Sequence, residues 1–264
     1  MSGRIRVGIG GWTYEPWEGT FYPEDLPKTR QLEYASSQLT AIEVNGTFYG
    51  NQSPSTFAKW RDTAPDDFVF ALKAPRFAVN RKVLTDAKDS IDKFFASGLE
   101  ELGPKLGPIL WQLAGTKKFD AADIDAYFAL FPKEVGGLKL RHALEARNES
   151  FRDPRFVDLA RQHNVAVVFA DSAKYPTFAD VTADFVYARL EDAKMEVETG
   201  YTADELDGWV GVARDWAKGG APSGLPYVQD AKPPKADRDV FVFMINGAKV
   251  RAPAAAKAMI ARVG

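Results

Sequence analysis

Nine polar residues fall at the ends of otherwise apolar segments: Glu43, Asn45, Lys73, Gln112, Glu145, Arg147, Asp171, Arg189 and Asn246. Their types suit acid–base and anion chemistry. Glu43, Glu145 and Asp171 are candidate general acids or bases, because burial and neighbours can bring a carboxyl toward neutrality. Lys73 is a candidate for stabilising a developing oxyanion, or for forming a Schiff base where its pKa falls. The plainer reading of Lys73 is an ion pair with Glu43 or Glu145, since a buried ammonium needs a partner. Arg147 and Arg189 present the fork that grips a carboxylate or phosphate. Asn45, Gln112 and Asn246 add amides able to donate and accept hydrogen bonds.

The elements carrying these residues read as eight strands, at 5–11, 41–48, 68–74, 109–115, 138–147, 165–171, 185–190 and 239–247. Helical patterns separate most of them, several opening on a Ser, Thr or Asp cap. Strands alternating with helices over this length predict a single-domain TIM (β/α)8 barrel spanning 1–264. The gap between strands six and seven is short and holds Pro176, so the helix there is expected to shrink to a turn. An open doubly wound sheet is the competitor. The first strand ends GIGG, but the full G-x-G-x-x-G pattern and its following acid are missing, which argues against a dinucleotide site.

Side chains alternate faces along a strand. The reading inward is Gly8, Gly10 and Trp12; Glu43 and Asn45; Ala71 and Lys73; Leu110 and Gln112; Ala143, Glu145 and Arg147; Phe169 and Asp171; Tyr187 and Arg189; Met244 and Asn246. Ile9, Val44, Leu72, Trp111, Leu144, Val168, Val186 and Phe243 then face the helices. The interior turns polar where the strands exit, at the end of the barrel where enzymes of this fold keep their sites. A self-satisfied layer of ion pairs that merely closes the barrel is the alternative, though buried pairs stabilise weakly.

The 264 residues are 45% hydrophobic and 27% charged with a formal net charge of −2, so no global field favours nucleic acid or an anionic membrane. With no cysteine, disulfides, thiolate catalysis and Cys-zinc sites are excluded. No signal-peptide or membrane-spanning run is apparent, and the expectation is a cytoplasmic protein. The first strand-to-helix loop carries Trp12, Tyr14 and Trp17, which either stack on a substrate or plug the barrel. Arg76, Arg81 and Lys82 after strand three, and Lys249 and Arg251 after strand eight, add positive charge near the mouth. The Pro- and Gly-rich stretch 219–238 is expected on the opposite face, with Pro233 far from Glu43. Of the two histidines, His142 should point to the helix layer and His163 closes a helix. No metal or cofactor is expected; a divalent cation on Glu43, Glu145 and Asp171 is the alternative.

The segments GGWTYEPWEGTFYP, IEVNGTFY, SPSTFAKWRDTAPDDFVFALKAPR, LEARNESF, VTADFVYARL and YTADELDGWV resemble the YecE-like (DUF72) family, a domain of unknown function, over nearly the whole chain. The resemblance implies a TIM barrel and no established reaction; a distant kinship with sugar-isomerase-like barrels has been suggested for the family. Its motif positions fall on Trp12, Trp17, Glu43, Asn45, Lys73, Glu145, Arg147, Asp171 and Arg189. The chain departs from the pattern at three places. The histidine and tryptophan expected after strand five are missing from Glu145–Phe151. The histidine expected after Arg189-Leu190 is Glu191. One asparagine of the last strand is lost beside Asn246.

Three functions fit these residues. The first is a metal-independent enzyme acting on a small anionic, sugar-like molecule. The second is a nucleic-acid-binding or -processing barrel, which would show steep salt dependence. The third is a non-catalytic binder of a small ligand.

Overall fold

The computed structural model describes residues 3–229 and 235–264. Parallel strands β1 (Ile5–Gly10), β2 (Ala41–Val44), β3 (Val69–Lys73), β4 (Leu106–Gln112), β5 (His142–Glu145), β6 (Val165–Val167), β7 (Phe169–Asp171), β8 (Phe185–Leu190) and β9 (Asp239–Met244) form one sheet. Its order is β6–β5–β4–β3–β2–β1–β9–β8–β7. The two ends of that order are consecutive in the chain. They are interrupted only by Val168, whose N–H donates to the Leu144 carbonyl (3.0 Å) on β5. Together β6 and β7 make the sixth stave and join the ends of the sheet, giving the TIM-barrel-like architecture the alternation predicts.

Helices α1 (Gln31–Gln38), α2 (Pro54–Thr63), α3 (Lys88–Phe95), α4 (Ala121–Phe128), α5 (Pro154–Gln162), α6 (Ala203–Ala217) and α7 (Ala252–Val263) surround the strands. Their starts are written locally. Ser53 accepts from the Thr56 N–H, with Pro54 in the first turn of α2. Thr202 and Glu205 form a reciprocal capping box on α6. Thr202→Ala should therefore cost about 1 kcal/mol in urea-induced unfolding and leave the mouth unchanged. Residues 172–184 contain no helix, as Pro176 and the short spacing foretell.

Strand boundaries and two strand phases differ from the sequence reading. β2 ends at Val44, because Asn45 turns into helical backbone and Gly46–Tyr49 forms a single helical turn. In the sixth stave Ala166 and Val168 face the barrel interior, while Phe169 packs outward on Trp209 and Trp216 of α6. In β9, Phe241 and Phe243 face inward with Ile245 beyond them, and Met244 faces the helices. Phe243 fits because β1 places Gly8 and Gly10 on the interior face at its level. A Cβ on Gly8 would stand 2.0 Å from the Ala41 carbonyl oxygen and 3.3 Å from the Phe243 ring.

The described parts of 219–238 lie at the N-terminal end of the barrel. The Asp180 carboxylate accepts the Val228 and Gln229 N–H groups (2.8 and 3.0 Å), and the Arg238 N–H donates to the Ala217 carbonyl. Pro233 lies outside the described residues. No helix among the described residues is long and apolar enough to cross a membrane.

Candidate functional site

Above the apolar interior sits a layer of ions organised by one side chain. Arg189, 2% exposed, extends from β8 and donates Nε and Nη2 to the two oxygens of Glu43 (3.0 and 3.2 Å). Its Nη1 reaches Glu145 (2.7 Å) and Glu191 (2.8 Å). Tyr187, one inward position earlier, donates its hydroxyl to Glu43 (2.8 Å). Gln112 donates to Glu145 (2.8 Å), and Arg147 Nε occupies the other Glu145 oxygen. Glu43 and Glu145 are 0% and 1% exposed. Burial alone would push the Glu145 carboxyl up, but Arg189 and Arg147 outweigh it and hold it below the usual carboxylate range. Burial likewise works against the Arg189 charge, and Glu145, Glu43 and Glu191 more than compensate, so it stays protonated.

Lys73 is treated differently. It stands at the end of β3, 9% exposed, and no carboxylate oxygen among the described residues lies within 4.0 Å of its Nζ. The ion pair with Glu43 or Glu145 that the sequence allowed is therefore not formed, because Arg189, Tyr187, Arg147 and Gln112 already occupy those oxygens. The ammonium lies over the Phe48 ring, 4.4 Å from its centroid. Thr47, beside Phe48, donates to the Lys73 carbonyl (2.7 Å) and to the Val44 carbonyl (3.0 Å), so the turn after β2 seats both backbone and side chain of Lys73. Burial pulls the Lys73 pKa down; Arg189 and Arg147 add to that, and Glu43 and Glu145 only partly offset it.

An open pocket of about 540 Å³ lies over this layer. Its walls include Trp12, Asn45, Trp60, Lys73, Gln112, Arg147, Arg189, Asn246 and Lys249, with Gly10 and Gly11 at one side. Glu43 and Glu145 lie beneath and do not line it. The strands thus bring together Glu43, Lys73, Gln112, Glu145 and Arg189, with Asn45, Arg147 and Asn246 reaching the pocket from the loops that follow β2, β5 and β9. Asn246 arrives there although the phase of its strand was misread, because the chain leaves the pleat after Ile245.

Asp171 is not brought to this site. It shares the outward parity of Phe169, and its carboxyl is pushed up by burial and by Asp192, Glu191 and Glu205. Asp171→Asn should therefore leave anion affinity at the mouth unchanged within about twofold, measured by calorimetric titration. Trp17 is another departure. It is fully buried among Tyr14, Phe21 and Tyr22, and its indole N–H donates to the Lys249 carbonyl (3.1 Å). Tyr14 packs on Trp17, with the Lys249 ammonium 4.5 Å from its ring centroid. Of the three loop aromatics only Trp12 lines the pocket, held edge-on to Trp60 at 5.2 Å.

Glu191 was missed as a member of the layer. Its signal was available, since 187, 189 and 191 share one parity, and it stands where the family resemblance expects histidine. Trp60 and the pocket-side role of Lys249 are set by helix and loop packing, which strand parity does not report. His142 faces the helix layer as expected: Trp111 Nε1 donates to its Nδ1 (3.1 Å), and burial holds its pKa down at about 4. His163, at the end of α5, bonds Asp125 (2.7 Å). Among the described residues no group of three or more His, Cys, Asp and Glu is arranged to hold a metal ion. A cation on Glu43 and Glu145 would have to displace Arg189, and Asp171 faces elsewhere.

The chain is 26% identical over 202 residues to YecE of Escherichia coli strain K12, covering 68% of this chain and 71% of YecE. Its fold matches the crystal structure of a DUF72 family protein from Thermotoga maritima with a TM-score of 0.74 at 21% identity, over 98% and 99% of the two chains. A fusion of a xylose isomerase-like TIM barrel with a 4-hydroxyphenylpyruvate dioxygenase matches at a TM-score of 0.51 and 14% identity, over 96% of this chain and 41% of the fusion. The family model described as protein of unknown function DUF72 matches residues 6–264, and the chain belongs to that family.

Proposed function

We propose that this protein is a metal-independent enzyme acting on a small anionic, hydroxylated molecule of sugar-like size bound at the barrel mouth. One observation carries the reading. The carboxylates are withdrawn beneath the pocket and committed to Arg189, whereas the wall presents Lys73, Arg147, Arg189 and Lys249 together with three amides. An anion meets the free donors of those cations, and Asn45, Gln112 and Asn246 suit hydroxyls. A neutral aliphatic molecule would leave these groups unpaired and be rejected. The likeness to a xylose isomerase-like barrel is compatible with a sugar-like ligand, by fold analogy alone.

The reading is tested by thermal unfolding with sugar phosphates, sugar acids and their neutral parent sugars, with chelator present. A ligand at a hundredfold its Kd adds about 2.7 kcal/mol, a rise of roughly 5–10 °C for a chain of this size. The anions should produce it and the neutral sugars should not. A shift from divalent metal alone, with none from any anion, would replace this reading with a metal enzyme.

A further inference from the structure

We propose that Lys73 is a nucleophile that forms an imine with a carbonyl compound bearing a carboxylate or phosphate, the anionic end being held by Arg147 and Lys249. The proposal rests on the anion-binding reading of the mouth and adds the chemical class of the ligand.

The protein contains its own contrast. Lys105 is also buried, 6% exposed, and its ammonium is satisfied by the carbonyls of Arg61 (2.6 Å) and Ala64 (2.7 Å). That is a structural lysine. Lys73, nearly as buried, has neither a carbonyl nor a carboxylate on Nζ among the described residues, only the face of Phe48. An ammonium left this way is costly unless a ligand completes it or the amine is used neutral. Two arginines share the layer, and each favours loss of the Lys73 proton. A fall of one unit in pKa raises the free-amine fraction near neutrality about tenfold. Lys73 is not the anion's only partner, since Arg147 and Lys249 stand on the same wall, although burial draws the Lys249 pKa down as well. Thr47 and Phe48 act as positioning residues, fixing the lysine where it meets the pocket.

The step balances without any further reagent. The neutral amine forms a C–N bond to the carbonyl carbon, and the C=O π pair moves to oxygen. That oxygen takes one proton from the nitrogen and one from solvent and leaves as water. The product is a protonated imine that can accept an electron pair from a bond next to the former carbonyl carbon. Water reverses the step and frees Lys73.

The test is reductive trapping. The protein is incubated at neutral pH with cyanoborohydride and glyoxylate or glycolaldehyde phosphate, with neutral glycolaldehyde as control, and labelled lysines are mapped by peptide mass spectrometry. Lys73 should be labelled about tenfold faster than Lys249, Lys105 or exposed Lys28, and only by the anionic aldehydes. Glycolate and hydroxyethyl phosphate, which lack the carbonyl, should slow its labelling. K73R, which keeps a cation but removes the nucleophile, should lose this site. Labelling of Lys73 no faster than of Lys28, with the anion shifts intact, overturns the imine and leaves the anion pocket standing. No shift from any anion and no selective labelling overturns both. Because the labelling ratio is read on the unmodified protein, it does not depend on a variant folding.

Discussion

Arg189→Met is expected to destabilise the unliganded protein by about 3–5 kcal/mol, the cost of leaving a buried ionic partner uncompensated. Arg189 is the shared partner of Glu43, Glu145 and Glu191, so its loss strands more than one carboxylate at once. The pH dependence identifies the cause. In the native protein Glu145 titrates below its unfolded value, so its contribution is present above that value and is lost as pH falls through the lowered folded pKa. In the variant, burial without Arg189 should raise the Glu145 carboxyl pKa above its unfolded value. Protonation then favours the folded state, and the deficit should shrink as pH falls from 7 toward 4. Denaturant unfolding of both proteins across that range checks it. A deficit that stays constant with pH would mean that lost packing, not stranded charge, is responsible.

The barrel and most of the ionic layer were legible in the sequence for one reason. Parallel barrel strands are apolar on both faces, so a charged residue inside one is conspicuous, and strand parity assigns it a side. Glu43, Lys73, Glu145 and Arg189 were found this way, each at the end of a strand whose phase was set by unambiguous neighbours. Asp171 was not, because Phe169 is equally at home inside the barrel or against the tryptophans of α6. With no neighbour to fix the phase, the polar residue itself was allowed to fix it. Parity also could not say how the charges divide among themselves. Arg189 takes both glutamates because its planar fork reaches several oxygens at once, and Lys73 is left without one. That division separates a buried structural layer from a cationic wall, and it depends on side-chain reach that no spacing encodes.

Lys73→Met should do the reverse of Arg189→Met. The variant is expected to be neutral or more stable when unliganded, yet to bind small anions about 100-fold more weakly, within the 2–5 kcal/mol seen when one partner of a buried charge contact is removed. The stability argument follows from the sign of the shift. A lysine whose folded pKa lies below its unfolded value weakens the fold wherever both states are protonated, so the penalty is fully present below the depressed folded value. It fades only as pH rises from the depressed folded value toward the ordinary lysine value of about 10.4. Methionine removes the charge, keeps comparable length and leaves an apolar stem over Phe48. No carboxylate is stranded, since none within 4.0 Å depends on Lys73. Any gain in stability should therefore be largest below the depressed folded pKa and diminish as pH rises toward about 10. Chemical denaturation at several pH values measures the first half, and calorimetric titration with glycolate and hydroxyethyl phosphate the second. A loss of several kcal/mol in the unliganded variant would show that Lys73 is part of the structural layer after all, and that the cationic wall is not held ready for a ligand.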